Sequence, residues 1–77
     1  MEKDLVEYIA KSLVDDPSAV AVNEVEGERG PVLELRVAQE DIGKVIGKHG
    51  RIAKALRTVL SASASKSGKH FSLDILD

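Results

Sequence analysis

Residues 42–57 constrain the fold most, because a short break lies there between two patterns of helical spacing. The break is Gly47-Lys48-His49-Gly50, in which two glycines flank two residues that can carry positive charge. Glycine lets the backbone turn sharply and lets another chain approach closely. A helix that begins directly after such a turn directs unpaired N–H groups and a partial positive charge toward it. We therefore expect two helices joined by a turn that can bind phosphate.

The spacing of apolar residues and of turn-forming residues predicts six elements along the chain. Helical spacing covers residues 3–14, 39–46 and 51–66, and the alternation typical of strands covers residues 19–26, 32–37 and 70–75. Residues 27–31 form the turn of a hairpin, and Gly68 fits the C-terminal cap of the last helix. This order predicts one α+β domain over residues 1–77, in which three helices cover one face of a three-stranded sheet.

The same spacing predicts which residues face the sheet. The first helix should bury Leu5, Ile9 and Leu13, with Val6, Ala10 and Val14 beside them, and the last helix should bury Ile52, Leu56, Val59, Leu60 and Ala64. Tyr8 lies off the main stripe, so we expect its ring edge to pack at the boundary of the core. The alternation in the first strand slips near Asn23, where a β-bulge would fit.

Charge is divided sharply along the chain, although the formal net charge is only −2. Residues 1–41 contain 11 acidic and 4 basic side chains, whereas residues 42–73 contain 7 basic side chains and no acidic one. A region of one sign points to a polyanionic partner more directly than the overall balance does. The alternative is two solvated faces of opposite sign, which could also pair between molecules.

The chain lacks the residues that several functional classes require. The chain has no cysteine, and no His, Asp and Glu cluster has the spacing of metal ligands. The segment from Gly43 to Lys48 is one residue short of a P-loop and lacks its Ser or Thr. We therefore expect no enzyme, no cofactor and no metal site. The charged N-terminus and the lack of a long apolar run predict a cytoplasmic protein that does not enter a membrane.

Two glycines at this spacing are weak evidence alone, and the chain contains its own control. Gly27-Glu28-Arg29-Gly30 has the same spacing, but it carries an acid and lies between two strands, where glycines make a turn. The Gly47–Gly50 match differs because it joins two helices and lies within the basic part of the chain.

The sequence Val45-Ile46-Gly47-Lys48-His49-Gly50, followed by Arg51-Ile52, resembles the signature of KH domains, in which an Ile-Gly-x-x-Gly loop joins two helices. The order of elements is similar to the type II, bacterial arrangement, and the resemblance covers nearly the whole chain. Residues 41–57, together with the Ser-Lys-x-Gly-Lys run at 65–69, are similar to the small bacterial single-KH family KhpA. The resemblance implies that the domain binds single-stranded RNA.

Physical chemistry and the resemblance indicate the same RNA site. Gly47 and Gly50 would let a sugar-phosphate backbone approach, Lys48 would supply charge, and His49 would supply a donor that charges at lower pH. The predicted surrounding residues are Lys44, Ile46, Arg51 and Lys54. The resemblance also implies an apolar groove for the bases, formed by Ile42, Val45, Ile46 and Ile52 with Val37 at its far side. The alternative is that these aliphatic side chains all belong to the core.

The resemblance further implies a homodimer, and a complex with a larger KH-containing protein of the KhpB or Jag type. It implies RNA chaperone or post-transcriptional roles in cell elongation, cell shape and envelope homeostasis, including cell wall biogenesis. Two other functions stay open on the residues alone. One is a dimerising protein-interaction adaptor with a weak or vestigial nucleic-acid site. The other is a helix-hairpin-helix DNA binder, whose Gly-x-Gly turn differs from Gly47–Gly50. The residues do not distinguish RNA from single-stranded DNA.

Overall fold

The computed structural model describes residues 1–76, and the side chains of all of these except residues 64–67. The elements are α1 (Glu2–Leu13), β1 (Ala21–Gly27), β2 (Gly30–Arg36), α2 (Ile42–Ile46), α3 (Arg51–Ser67) and β3 (Ser72–Leu76). Short 3-10 turns lie at Pro17–Ala19, Gln39–Asp41 and Lys48–Gly50. The predicted α+β fold and its order of elements are confirmed. The predicted helix over residues 39–46 is divided into a 3-10 turn and α2.

The sheet has the strand order β1-β2-β3, so β2 lies in the middle. Strands β1 and β2 form the predicted hairpin, with Val22 opposite Leu35 and Gly27 opposite Gly30. Strand β3 pairs with β2 in parallel, with Leu73 opposite Leu33. A parallel neighbour requires a crossover connection. Here the crossover consists of α2, α3 and the turn between them, so the predicted phosphate-binding turn lies within the crossover.

The bulge predicted near Asn23 is wrong, because the β1–β2 register runs without interruption from Ala21 to Gly27. Glu24 lies opposite Leu33, so it shares the helix-facing side of the sheet with Val22. Glu24 is nevertheless exposed. The alternation of apolar and polar residues is therefore interrupted because the helices do not cover this end of β1, and not because the strand contains a bulge.

One hydrophobic cluster fills the space between the sheet and the helices. Its largest fully buried apolar side chains come from the central strand and from all three helices: Leu33, Leu35, Leu60, Val6 and Val45. Leu56 and Leu73 join the same cluster. This core is thus built mainly from aliphatic side chains of α1, α3 and the central strand.

Helices α1 and α3 turn slightly different faces to the sheet than their spacing predicts. In α1 the buried residues are Val6 and Ala10, whereas Leu5 is 36% exposed and Tyr8 is 72% exposed. The expectation that Tyr8 packs at the core boundary is therefore wrong. In α3 the buried residues include Ala53, and Val59 is 40% exposed. The prediction for Ala64 lies outside the described side chains. Each helix carries more apolar surface than one small sheet can cover, so part of each apolar face stays uncovered.

Candidate nucleic-acid interface

The first glycine of the turn between α2 and α3 cannot be replaced without disturbing its surroundings. Gly47 has φ 80° and ψ 169°, a combination essentially restricted to glycine. A Cβ atom on Gly47 would lie 2.6 Å from Cγ1 of Ile52 and 2.9 Å from its backbone nitrogen. The backbone at Gly47 therefore packs directly against the start of α3. This close approach explains why the glycine follows Ile46 at the end of α2.

The rest of the loop, defined as Gly47–Gly50, also has an unusual backbone. His49 is left-handed, with φ 59° and ψ 25°, and it is the one non-glycine residue with positive φ in the described part of the chain. Gly50 has φ 71°, and a Cβ atom added to it would meet no atom within 4 Å beyond its chain neighbours. The N–H of Gly50 donates to the carbonyl of Gly47 at 3.0 Å. The loop is therefore a tight turn with an open side at Gly50.

Two backbone donors of the loop are available for a ligand. Lys48 and His49 are the first two residues of the 3-10 turn Lys48–Gly50, and the first N–H groups of such a turn have no acceptor within it. The N–H groups of Gly47 and Gly50, in contrast, donate to the carbonyls of Gly43 and Gly47. Successive N–H groups in a right-handed and then left-handed conformation form a concavity that binds anions. Left-handed residues outside glycine cost energy and cluster at ligand-binding positions. The backbone of Lys48 and His49 is thus suited to a phosphate oxygen.

Helix α3 divides lengthwise into three strips. The core strip consists of Ala53, Leu56 and Leu60. The second strip is apolar and consists of Ile52, Ala55 and Val59, of which Ile52 is partly buried and the other two are exposed. The third strip, here called the basic strip, consists of Arg51, Lys54 and Arg57. Residues three apart are neighbours on a helix surface. The basic strip therefore begins directly after the loop and continues its positive charge along α3.

The charges next to the loop are solvated and unpaired. Lys48, Arg51 and Lys54 are exposed, and within the described part of the chain none of them makes an ion pair. Three of the predicted site residues therefore present net positive charge to an incoming anion. Arg57 was not in the predicted set, although its spacing from Lys54 signals membership of the same strip. Its Nη2 donates to the carbonyl of Leu73 in β3 at 3.2 Å.

Lys44 was predicted to surround the RNA site, and the structure gives its side chain other partners. Its Nζ donates to Oδ2 of Asp15 at 2.5 Å and to Oδ1 of Asp41 at 3.0 Å. The side chain of Asp41 is 2% exposed, and its Oδ2 accepts the backbone N–H of Asp16 at 3.1 Å. This network, here called the Asp41 network, links α2 to the turn that follows α1.

The Asp41 network shifts the pKa values of both its main members. The hydrogen bond from Lys44 lowers the pKa of Asp41, and the backbone donors at Asp16 and Asp15 act in the same direction, against the opposing effect of burial. The hydrogen bond to Asp15 raises the pKa of Lys44, and the bond to Asp41 adds to it. The ion pairs are therefore formed at neutral pH.

The apolar side chains expected to line a base-binding groove separate into different environments. Val45 and Val37 are buried in the core, at 0% and 7% exposure. Ile46 is 37% exposed directly before the loop. Ile42 and Ile52 are partly buried against the core. Of the five predicted groove residues, Ile46 offers the most apolar surface beside the loop.

A separate apolar groove lies between α1 and α3. It has a volume of about 280 Å³, and its lining is Ile9, Leu13, Arg51, Ile52, Ala55, Leu56 and Val59. Most of these residues belong to the apolar faces that the sheet leaves uncovered. Ile52 lines this groove and also packs against Gly47, so the groove and the loop share one side chain. The lining residues that the sequence predicted as core are Ile9, Leu13, Ile52, Leu56 and Val59, and nothing in their spacing signals a groove.

The described residues contain no group of three or more His, Cys, Asp or Glu side chains arranged to hold a metal ion. None of their helices has the length and apolar character that crossing a membrane requires.

Residues 3–75 match the family model described as KhpA/KhpB, KH domain. The chain belongs to the KhpA/KhpB KH-domain family. It is 58% identical over 77 residues to the RNA-binding protein KhpA of Treponema pallidum, covering 100% of this chain and 96% of the relative. It is 61% identical to the RNA-binding protein KhpA of Clostridium perfringens, covering 96% of this chain and 99% of that protein. The resemblance drawn from the loop and the order of elements is confirmed.

The KhpA/KhpB fold is also similar to part of a larger protein. A crystal structure of Era from Aquifex aeolicus, bound to GDP and aluminium fluoride, superposes on 96% of this chain with a TM-score of 0.60 and 20% sequence identity. This chain spans only 29% of that Era chain. At this identity the likeness concerns the fold alone, and it agrees with a type II KH arrangement.

Alanine substitutions at three glycines should separate backbone strain from loss of flexibility in this KhpA/KhpB domain. Gly47→Ala should lower the free energy of unfolding by at least roughly 2 kcal/mol, because it combines a glycine-only conformation with overlap at Ile52. Gly50→Ala should cost about 1 kcal/mol for its left-handed backbone alone. Gly43→Ala, within α2 and with open space around it, should stabilise by about 0.5–1 kcal/mol. Urea unfolding measures all three, and equal losses at Gly47 and Gly43 would contradict the packing described for Ile52.

The Asp41 network should make stability depend on pH. Because the folded-state pKa of Asp41 is lowered, its contribution is complete above about pH 4, the ordinary carboxyl range, and is lost as the pH falls through the folded value. The contribution of Lys44, whose pKa is raised, is complete below about pH 10 and is lost at higher pH. The difference in urea midpoint between wild type and Asp41→Asn should therefore be larger at pH 7 than in strong acid. Glu28→Gln, on the exposed hairpin turn, is the control, and a difference for Asp41→Asn that is independent of pH would contradict the assignment.

Proposed function

We propose that this domain binds single-stranded RNA through the loop and the basic strip. The observation that carries the proposal is the loop backbone: glycine conformations at Gly47 and Gly50 flank two exposed residues, Lys48 and His49, whose N–H groups begin a 3-10 turn and have no acceptor within it. The relatives in Treponema pallidum and Clostridium perfringens carry the name RNA-binding protein, which supports the same ligand. A site of this kind contacts about four nucleotides.

Each part of the site has a separate task in the proposed complex. The loop accepts the phosphate chain, because Gly47 and Gly50 lack side chains that would hold it away. Lys48 and His49 donate from backbone and side chain, and Arg51 and Lys54 extend the positive field along α3. Ile46 offers an apolar surface to a sugar or base. With roughly three charge contacts on a single strand, the slope of log affinity against log salt should be only about −2.

The double variant Lys48→Asp/His49→Asp tests the loop directly. It places two carboxylates where the phosphate chain would lie, and aspartate tolerates the left-handed backbone at position 49 better than most residues. Binding of a short fluorescein-labelled single-stranded RNA, followed by anisotropy, should weaken by at least about tenfold.

The matched control is Asn23→Asp/Arg29→Asp, which changes the formal charge by the same amount on the hairpin. Asn23 lies in β1 opposite Glu34, and Arg29 lies in the turn of the hairpin. Because neither residue belongs to the loop or to the basic strip, the control should keep most of the affinity. A folded loop variant that binds as tightly as wild type would overturn the proposal and would favour an adaptor with a vestigial nucleic-acid site. Equal losses in both variants would mean that net charge, and not the loop, determines binding.

We also propose that the domain forms a homodimer through the groove between α1 and α3. The groove is almost entirely apolar, and Val59 in its lining is exposed. Tyr8, on α1, is exposed as well. Helices α1 and α3 run in opposite directions, since Ser63 Oγ donates to Oε2 of Glu2 at 2.6 Å. The acidic first turn of α1 and the basic first turn of α3 therefore lie at opposite ends of this face. A second copy seated head to tail would bring acid near base and cover the apolar groove.

Val59→Asp should convert a dimer to a monomer, because it places a charge in the apolar strip. The matched control is Val25→Asp on the open face of the sheet, since Val25 and Val59 are both 40% exposed. Sedimentation velocity over a range of concentrations should show dimers for wild type and the control and monomers for Val59→Asp. A monomeric wild type at high micromolar concentration would exclude this dimer.

The family resemblance carries further proposals about biology. We infer RNA chaperone activity or post-transcriptional regulation, linked to cell elongation and envelope homeostasis, in the cytoplasm and without an enzymatic step. We also infer that a larger KhpB-type protein can present its KH domain to the same groove as the second copy does. Strand-annealing assays on the loop variant and its control test the chaperone proposal, because annealing that depends on the RNA site should be lost only in the loop variant.

A further inference from the structure

We propose that Asp41 and Lys44 are positioning residues, which hold the loop at a fixed place relative to α1 and do not themselves contact RNA. This inference rests on the RNA-binding role proposed for the loop. It assigns Lys44 a role different from that of Lys48, although both lysines lie within the same basic stretch of the sequence.

Helix α2 needs an anchor because it is only five residues long. Helices of this length are not stable by themselves. Val45 supplies apolar anchoring, since its side chain is completely buried. The loop follows at once, and the N–H of Gly47 donates to the carbonyl of Gly43 inside α2 at 2.9 Å. Any rotation or shift of α2 about Val45 would therefore move the loop.

Asp41 supplies the second point of attachment. It is the only polar or charged side chain that is fully buried among the described residues, and it makes no capping bond to its own helix. Its two oxygens instead reach Lys44 on one side and the backbone of Asp16 on the other, 25 residues earlier in the chain. A buried carboxylate with both oxygens bonded allows little displacement, because breaking either bond leaves a desolvated charge.

The other end of the attachment is itself fixed. Asp16 precedes the Pro17–Ala19 turn, which follows shortly after α1 ends at Leu13. Helix α1 is held on the sheet by Val6 and Ala10, which are 1% and 0% exposed. The position of α1 is therefore transmitted through Asp16 and Asp41 to the start of α2, and through α2 to the loop.

The surroundings of Lys44 argue against a direct contact with phosphate. Its ammonium lies between two carboxylates, so the three groups together carry a net negative charge. A phosphate that approached this ammonium would also meet Asp15, whose side chain is 85% exposed. Lys48 has no such neighbour in the described part of the chain. Lys44 thus compensates the charge of Asp41, and Lys48 remains open to the ligand.

Two variants separate positioning from charge. Charge alone predicts opposite effects: Lys44→Gln should weaken binding to RNA, and Asp41→Asn should strengthen it. Positioning predicts that both variants weaken binding, by roughly 3- to 30-fold. Glu40→Gln is the matched control, since it removes a negative charge from the exposed neighbour of Asp41 and should leave affinity unchanged or slightly higher. Tighter binding by Asp41→Asn would overturn the inference.

The salt dependence of RNA binding provides a second, independent test of whether Lys44 contacts RNA. Loss of a phosphate contact on single-stranded RNA reduces the slope of log affinity against log salt by about 0.7. Lys48→Gln should show this reduction. Lys44→Gln should weaken binding while keeping the wild-type slope, and a reduced slope would identify Lys44 as an RNA contact. If Asp41→Asn is too unstable to measure, the comparison of Lys44→Gln with Lys48→Gln decides the question.

Amide hydrogen exchange without RNA distinguishes failure of this inference from failure of the proposed function. In Asp41→Asn, exchange at Gly47 and Gly50 should accelerate relative to Glu40→Gln, because the loop loses its attachment. If the wild-type protein does not bind RNA but this acceleration is observed, the proposed function is wrong and the positioning is right. If RNA binds but exchange in the loop is the same in both variants, the positioning is wrong.

Discussion

The contact between Gly47 and Ile52 is the constraint on which the loop depends. It leaves no space for a Cβ atom, so the chain can turn from α2 into α3 only with glycine at this position. The next residues must then complete the turn at once, and His49 and Gly50 do so with left-handed backbones. The conformation that exposes the backbone donors is thus imposed by packing at the base of the loop. Ile52 also lines the α1–α3 groove, so the two candidate binding surfaces share this one side chain.

The sequence predicted the elements well because their signals are local. Alternation and helical spacing depend on a few neighbouring residues, and so do the glycines of the loop. Which face of a helix is buried depends on how much surface the sheet can cover, and spacing does not contain that information. The central row of α1 was therefore misplaced by one residue. In α3 the predicted Leu56 and Leu60 are buried, but Ala53 was missed and Val59 is exposed. The parallel direction of β3 was likewise not encoded near Ser72.

The role of Asp41 could not be read from the sequence for a similar reason. An acidic residue at the start of a short helix is ordinary, because it favours the helix dipole. Its burial and its bond to Asp16 become visible only when residues 25 positions apart are brought together. Lys44 was grouped with the other basic residues on the same local evidence. In the folded structure the separation of charge is thus less complete than it is along the sequence, because Lys44 pairs with an acidic residue of the first half, Asp15. The division also predicted exposed positive charge next to the loop, and the structure has it at Lys48, Arg51 and Lys54.

The parallel pairing of β3 with β2 has a consequence for the order of folding. It joins residues that are far apart in the sequence, such as Leu33 and Leu73, and the loop lies in the crossover between them. The entropy lost in closing a long connection must be overcome before the contacts of β3 repay it, so parallel pairing forms slowly. Helix α3 is held in the core partly through Leu73 and through the bond from Arg57 to its carbonyl. We therefore expect the β1–β2 hairpin to form first, and α3, which begins directly after the loop, to reach its final position only when β3 docks.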